Sequence, residues 1–193
     1  MTDMKILNSR HCWILASVAF LAGCGKQEKV EVGQFVKALT DQKATFASAN
    51  TSEAEMVASA RAWCGGITAN GAGKGAALDQ NAAVATGLAK SAVAISAQLS
   101  QVRQAIDALT LSEELPRGVR NDLTTQLTRR QRMLQDVRAM LEQAAPQFLE
   151  YKKSKSYVGD TYPDGVAKLD LLLRSYGAPD DAVGAALTAL QPK

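Results

Sequence analysis

The stretch Asp79–Thr110, DQNAAVATGLAKSAVAISAQLSQVRQAIDALT, carries the clearest structural pattern in the chain. Its apolar and small residues recur at steps of four and three, a spacing that places side chains along one side of an α-helix. The positions of this first seam are Val84, Leu88, Ser91, Ile95, Leu99, Val102, Ile106 and Leu109. The pattern predicts a long helix that packs against another helix along this side.

A second seam with similar spacing follows it. Its positions are Val119, Leu123, Gln126, Arg130, Leu134, Val137, Leu141, Ala144 and Phe148, of which Gln126 and Arg130 are polar interruptions. Between the seams, the segment LSEELPRG contains Pro116 and Gly118, which favour a tight break. Because a short connection makes neighbouring helices pack antiparallel, residues 79–110 and 117–151 are predicted to form a helical hairpin.

Shorter helical patterns precede the hairpin. Residues 30–49 favour a first helix, and the pair Ser52 and Glu55 has the spacing of a capping box that would start a second. This second helix is predicted to end at Gly65–Gly66, unless it continues the first helix with a kink near Asn50.

Two more short helices are predicted after the hairpin, over residues 164–176 and after Pro179. Pro146 is expected to kink or end the second hairpin helix near its close. A composition of 47% hydrophobic but only 5% aromatic residues also suits helices better than strands. The sequence therefore predicts one all-α domain over residues 30–193, a helical bundle built around the hairpin with shorter flanking helices, and the hairpin tip is expected to project from it.

The N-terminal segment has the pattern of an export signal. Lys5, Arg10 and His11 precede the apolar run WILASVAFLAG, which ends at Gly23 and is too short to cross a bilayer permanently. We expect residues 1–23 to be removed as a signal peptide, and no transmembrane helix to follow them.

The last residues of this run and the cysteine after them, LAGC, resemble the lipobox of bacterial lipoproteins. The resemblance implies that Leu21, Ala22 and Gly23 are recognised by the signal peptidase and that Cys24 is lipidated and becomes the first residue of the mature chain. Residues 24–29 would then form the lipidated N-terminus and a polar tether. The alternative is an ordinary secretory leader followed by an unmodified Cys24.

The same resemblance implies a location in the bacterial cell envelope, facing the periplasm. Gly25 stands where enteric lipoproteins retained at the inner membrane carry an aspartate, so the outer membrane is favoured over the inner one. A multiply acylated N-terminus holds a protein stably on a membrane without a spanning helix.

Removal of the leader leaves little catalytic chemistry in the chain. The single histidine, His11, and Cys12 lie within it, and lipidation occupies Cys24, so Cys64 is the remaining thiol. A histidine-free chain excludes nucleophiles activated by histidine and metal sites with histidine ligands. We therefore predict no enzyme activity, no cofactor and no metal. Cys64 is interpreted as a buried core residue, and a reactive or dimer-forming thiol is the alternative.

The glycine-rich segment GGITANGAGKGAALDQ does not fit a phosphate-binding loop. Lys74 is followed by Gly75, where a Walker A motif needs Ser or Thr. The formal net charge of +3 is small for 193 residues. Neither a nucleotide nor a nucleic acid is predicted as a partner, and the segment is interpreted as a flexible loop between helices.

Two basic regions are candidates for contact with an envelope protein or a cell-wall component. The candidate partner surface consists of Arg129, Arg132, Arg138, Tyr151, Lys152, Lys153 and Tyr157. Nearby acidic residues support the alternative of a solvated face with ion pairs. The sequence predicts a membrane-anchored lipoprotein whose helical domain is a binding or structural module. A carrier of lipid or another small ligand in an apolar cavity of the bundle is one alternative, and a histidine-free enzyme using Asp160 and Asp164 is another.

Overall fold

The computed structural model describes residues 10–154 and 162–191, with side chains from Gly25 onward in these ranges. The described ranges contain five α-helices and no strand. The helices are α1 (Arg10–Asn70), α2 (Ala76–Asp107), α3 (Glu114–Lys153), α4 (Asp164–Arg174) and α5 (Ala182–Ala189). This confirms the predicted all-α helical bundle.

The helices form an up-down-up-down bundle. Helices α2 and α3 make the most extensive helix pair, as the predicted hairpin requires, and α1 packs antiparallel to α2. The two short helices α4 and α5 pack against α1 and α3, on the side away from α2. Because α4 contacts the middle of α3 and α5 contacts its beginning, the two together act as one fourth helix that is broken between Arg174 and Ala182.

The core consists of apolar side chains from every helix. Its largest fully buried side chains are Phe35, Phe46, Phe148, Leu39, Leu78, Ile95, Leu99, Ile106, Leu123, Leu127, Leu134 and Leu141. In the first seam, Leu88, Ile95, Leu99, Val102 and Ile106 are buried, whereas Val84 and Leu109 are half-buried and Ser91 is exposed. The first seam is therefore the inward side of α2.

The second seam is buried from Leu134 onward, and in its first half the prediction is right for Leu123 but wrong for Gln126. Gln126 is exposed, and Leu127 and Gln131 take the inward positions. Here the inward positions follow two steps of four, because a straight helix with 3.6 residues per turn drifts from a strict seven-residue repeat. Gln131 is tolerated there because its amide donates to the Ser100 hydroxyl at 2.6 Å and accepts from Arg103 at 3.0 Å.

Helix α1 is continuous through Asn50, so the alternative of one continued helix is right and the division into two helices is wrong. It runs through Asn50 and through Gly65–Gly66 to Asn70, so the predicted helix end at the two glycines is wrong. Both glycines face open space, and a glycine in a helix weakens it without ending it. The chain turns only at the following loop, where Gly71, Gly73 and Gly75 have positive φ angles of 72°, 74° and 57°.

Three other expectations concern the ends of helices. Residues 25–29, predicted as part of a tether, belong to α1. Helix α3 continues past Pro146 to Lys153, so this proline does not end it. The hairpin tip does not project, because α1 covers the α2–α3 turn and Glu31 accepts hydrogen bonds from the backbone amides of Ser112 and Glu113.

Helix α2 is long and apolar enough, by length and composition alone, to count as a candidate membrane span. The sequence predicted no transmembrane helix after the leader. Within the bundle, however, the apolar seam of α2 packs against α1 and α3. The composition of α2 is therefore accounted for by its place in the core.

Candidate functional site at the break in the fourth helix

A cluster of buried polar side chains lies beside the break between α4 and α5. The carboxylate of Glu53 in α1 is fully buried. Arg130 in α3 donates to Glu53 Oε2 through Nε at 3.1 Å and through Nη2, and the same Nη2 donates to Asn50 Oδ1 at 2.8 Å. Tyr176, just after α4, donates its hydroxyl to Glu53 Oε1. One buried carboxylate thus joins α1, α3 and the end of α4.

Contacts with Phe46 and Tyr176 stabilise the buried ion pair between Arg130 and Glu53. The Arg130 guanidinium lies over the ring of Phe46, 5.1 Å from its centroid, which adds a cation–π contact. Burial, together with the hydrogen bond to Glu53, raises the pKa of Tyr176, so the phenol remains a protonated donor. Within the described residues, Nη1 of Arg130 is buried without a hydrogen-bond partner. The remaining polar atoms of the ion pair are satisfied, as a buried ion pair requires.

The local sequence explains why the fourth helix breaks at this point. Arg61 of α1 donates to the carbonyl oxygen of Leu173 at 2.7 Å and to that of Tyr176 at 2.6 Å, which satisfies the C-terminal end of α4. Pro179 has no backbone N–H to continue a helix. Asp181 then caps α5, because its carboxylate accepts from the Gly184 amide at 2.9 Å.

A cleft of about 430 Å³ opens over the cluster where the fourth helix is interrupted. Its walls consist of Glu53, Gln126, Arg129, Arg130, Met133, Ser175, Tyr176, Gly177, Ala178, Pro179, Asp180 and Ala182. Arg129 is exposed and forms no ion pair with another described residue. The cleft therefore combines a solvent-facing guanidinium with apolar surface from Met133 and Pro179, on a base fixed by the buried ion pair.

A second polar cluster lies at the α2–α3 turn. Glu31 of α1 accepts from the Ser112 hydroxyl at 2.6 Å and from the amides of Ser112 and Glu113, each at 2.9 Å. Gln27 donates to the same hydroxyl at 2.8 Å. The hydrogen bonds from the Ser112 hydroxyl and the Glu113 amide are the main causes that lower the pKa of Glu31 to about 2. Glu31 thus satisfies two backbone amides just before the start of α3 and ties α1 to the α2–α3 turn.

The residues of the predicted partner surface lie at separate positions along α3. Arg129 lines the cleft, and Arg132 is exposed nearby. Arg138 lies about half a turn around the helix from Arg129 and pairs with Glu142 at 2.8 Å. These arginines therefore do not share one face.

The remaining predicted residues lie at the far end of α3 or outside the described parts. Lys152 pairs with Asp79 at 2.6 Å, about 35 Å along the helix from Arg129. Lys153 is exposed and Tyr151 is half-buried. The described residues do not include Tyr157 and Asp160. Side chains are described from Gly25 onward, which leaves out the predicted recognition and lipidation residues Leu21, Ala22, Gly23 and Cys24.

Cys64 is fully buried in α1, which confirms its interpretation as a core residue. Burial, with a smaller contribution from Asp170, raises the pKa of its thiol to about 12. The neighbouring Trp63 is half-buried; it donates to Asn81 at 2.9 Å and meets the Phe148 ring edge-to-face at 5.8 Å. The environment of Cys64 is that of an unreactive structural thiol.

Sequence reasoning missed Asn50, Glu53 and Tyr176 as site residues, and it gave Arg130 no buried partner. A signal was nevertheless present, because Glu53 stands between the buried residues Ala49 and Met56 at helical spacing. A carboxylate at an inward position requires a buried cation or several donors. Arg130, at an inward position of another helix, was the available cation.

Comparisons with protein-family models, curated proteins and solved structures find no match for this chain. Among the described residues there is no group of His, Cys, Asp and Glu that could hold a metal ion. The site is therefore interpreted from its own geometry.

Proposed function

We propose that this protein is a lipid-anchored binding or structural module of the bacterial cell envelope. In this proposal Cys24 carries the lipid, the bundle faces the periplasm, and the partner is an envelope protein or a cell-wall component. The observation that carries the proposal is the lipobox-like LAGC at the end of a short apolar run. Further support comes from α1, which contacts the rest of the bundle as early as Gln27, so a lipid on Cys24 would hold the folded domain directly.

The cleft over the buried ion pair is the surface that we assign to the partner. Arg129 offers an exposed charge, and Met133 and Pro179 offer apolar contact area. The buried bonds among Glu53, Arg130 and Tyr176 fix the walls before any partner arrives. A preorganised site of this kind loses less conformational entropy on binding than a mobile one.

Lipidation is tested by feeding cells a labelled fatty acid and measuring the mass of the mature N-terminal peptide. We expect the wild-type protein to incorporate the label and to fractionate with membranes, and Cys24→Ser to do neither. Cys64→Ala is the matched control, because it removes the other thiol of the mature chain and should leave lipidation unchanged. A Cys24→Ser protein that remains in the membrane fraction would contradict the anchoring proposal.

The partner surface is tested by photo-crosslinking in intact cells. A photoreactive residue in place of Arg129 should give a discrete crosslinked product. The same residue in place of Lys90, which is exposed on α2 across the bundle from the cleft, should not. Equal crosslinking from both positions, or none from position 129, would refute the assignment of the cleft.

A further inference from the structure

We propose that the end of the bundle formed by the α2–α3 turn rests on the lipid surface, with Val30 and Leu115 inserted among the headgroups. This inference rests on the proposed lipidation of Cys24. It goes further by naming the face of the folded domain that contacts the bilayer.

The α2–α3 turn lies close to the anchor at Cys24. Gln27 and Glu31 bind Ser112 and Glu113, so they fix the turn beside the first residues after Cys24. At 1.5 Å per residue, these contacts lie about 5 to 10 Å along α1 from Cys24. The headgroup layer on each side of a bilayer is about 5 to 8 Å thick. A lipid on Cys24 therefore brings the turn to the level of the headgroups.

Within the described part of the chain, no flexible spacer separates the anchor from the turn. Residues 25–29 are helical, and Glu31 is clamped between two backbone amides and a hydroxyl. Separating the bundle from the anchor would require residues 25–30 of α1 to unfold or the hydrogen bonds of Glu31 to break. A tether this short keeps the effective concentration of the end face at the membrane high.

The end of the bundle at the α2–α3 turn carries exposed apolar side chains and cations. Val30 is 58% exposed and Leu115 is 45% exposed, and both lie within one helical turn of the Glu31 contacts. The exposed cations Lys26, Lys29 and Arg117 lie near them in sequence and form no ion pair with a described residue. Glu28 and Glu114 lie at the same end and offset part of this positive charge. Insertion of the apolar side chains therefore contributes more to membrane binding than net charge does.

Exposed apolar side chains flanked by Lys and Arg are the pattern of a surface that lies in a membrane interface. Lipid is the occupant that we assign to this face, because the acyl chains of Cys24 are held against the same end. An upright bundle then places the Glu53 cleft about 45 Å along α1 from Cys24 and about 33 Å above the turn that contacts the headgroups.

The test uses two leucines on α3 that differ in position but not in exposure. Leu115 is 45% exposed at the anchored end, and Leu149 is 41% exposed at the opposite end. Each is replaced by cysteine in the full-length lipidated protein and labelled with a small fluorophore. Cys64 is buried, and Cys24 in its proposed lipidated form has no free thiol, so neither is expected to react with the label. The proteins are reconstituted in vesicles of phosphatidylethanolamine and phosphatidylglycerol that contain a lipid with a nitroxide quencher in the headgroup.

We expect several-fold stronger quenching of the Leu115→Cys label than of the Leu149→Cys label. Equal quenching at both positions would show that the bundle lies flat, and no quenching at either would show that it stands clear of the lipid. Either result would overturn the inference. Flotation with the vesicles is measured in the same samples, and a protein that does not float reveals failure of the lipidation proposal instead. Circular dichroism and the urea midpoint of each variant confirm that it is folded.

Discussion

Replacing Arg130 by methionine should destabilise the bundle by about 3 kcal/mol. Methionine keeps an unbranched apolar chain over Phe46 but removes the cation that pairs with Glu53. Removing one partner of a buried ion pair destabilises a protein by about 3–5 kcal/mol, since the other charge is left uncompensated. We expect a value at the lower end, because Glu53 keeps the hydrogen bond from Tyr176 and the Arg130 side chain is 12% exposed.

The assay is urea unfolding of the mature Cys24→Ser chain at pH 7, followed by circular dichroism. Arg138→Met is the matched control, because it removes the same kind of pair from the same helix, but at a site where both side chains are about half exposed. Its loss should stay below about 1 kcal/mol. The double variant Glu53→Leu with Arg130→Met should recover much of the loss, since no buried charge remains. A loss for Arg130→Met no larger than that for Arg138→Met would refute the burial of this ion pair in solution.

Three further predictions follow from the structure. The pKa of Glu31 is lowered from 4.5 to about 2, so its carboxylate stabilises the fold above about pH 4.5, and this stabilisation is lost as the pH falls toward 2. Glu31→Gln should be less stable than the wild type at pH 7 and should lose less stability between pH 4.5 and pH 2. Parallel curves of stability against pH for the two proteins would contradict this. The Cys64 thiol should react with Ellman's reagent at pH 8 only after unfolding by urea, because it is fully buried and its pKa is raised to about 12; rapid reaction of the folded protein would exclude the buried position. Gly66→Ala should stabilise the protein by about 0.5–1 kcal/mol in urea unfolding, because the residue is helical with open space around it, whereas a loss would show that α1 ends there.

The helical hairpin could be predicted from sequence because its apolar pattern is long and each helix buries one continuous side. The split of α1 was wrong because it relied on local signals. The capping-box pair and the two glycines favour helix ends in isolation, but most of the stability of a helix comes from tertiary packing. Ala60, Cys64 and Ile67 continue one buried side across Gly65–Gly66, and this packing keeps the helix intact.

The candidate site could be predicted only in part. Arg129 was named as a surface residue, and it does line the cleft. The pairing of Arg130 with Glu53 spans 77 positions in sequence, and that of Tyr176 with Glu53 spans 123. Such pairings depend on which helix faces which, and a periodic pattern gives the inward side of each helix without giving its neighbour. The cleft was also hidden from sequence because it results from a gap between two short helices.

The break in the fourth helix is held on both sides, and this argues that its geometry is a fixed part of the fold. Arg61 binds the carbonyls of Leu173 and Tyr176 at and just after the end of α4. Asp181 caps α5, and Tyr176 is tied to Glu53 between them. An ion pair buried in this way is often no more stabilising than apolar side chains of the same volume. The buried Glu53 instead fixes the position of α4. Both of its carboxylate oxygens are satisfied, by Arg130 and by Tyr176, when α4 lies as observed against α1 and α3. The Arg130→Met and Glu53→Leu double variant should therefore fold with near-normal stability while the chain over the cleft becomes less ordered, which hydrogen exchange at Gly177 and Ala178 would detect as faster amide exchange. Unchanged exchange at these amides would show that the cluster does not determine the position of the break.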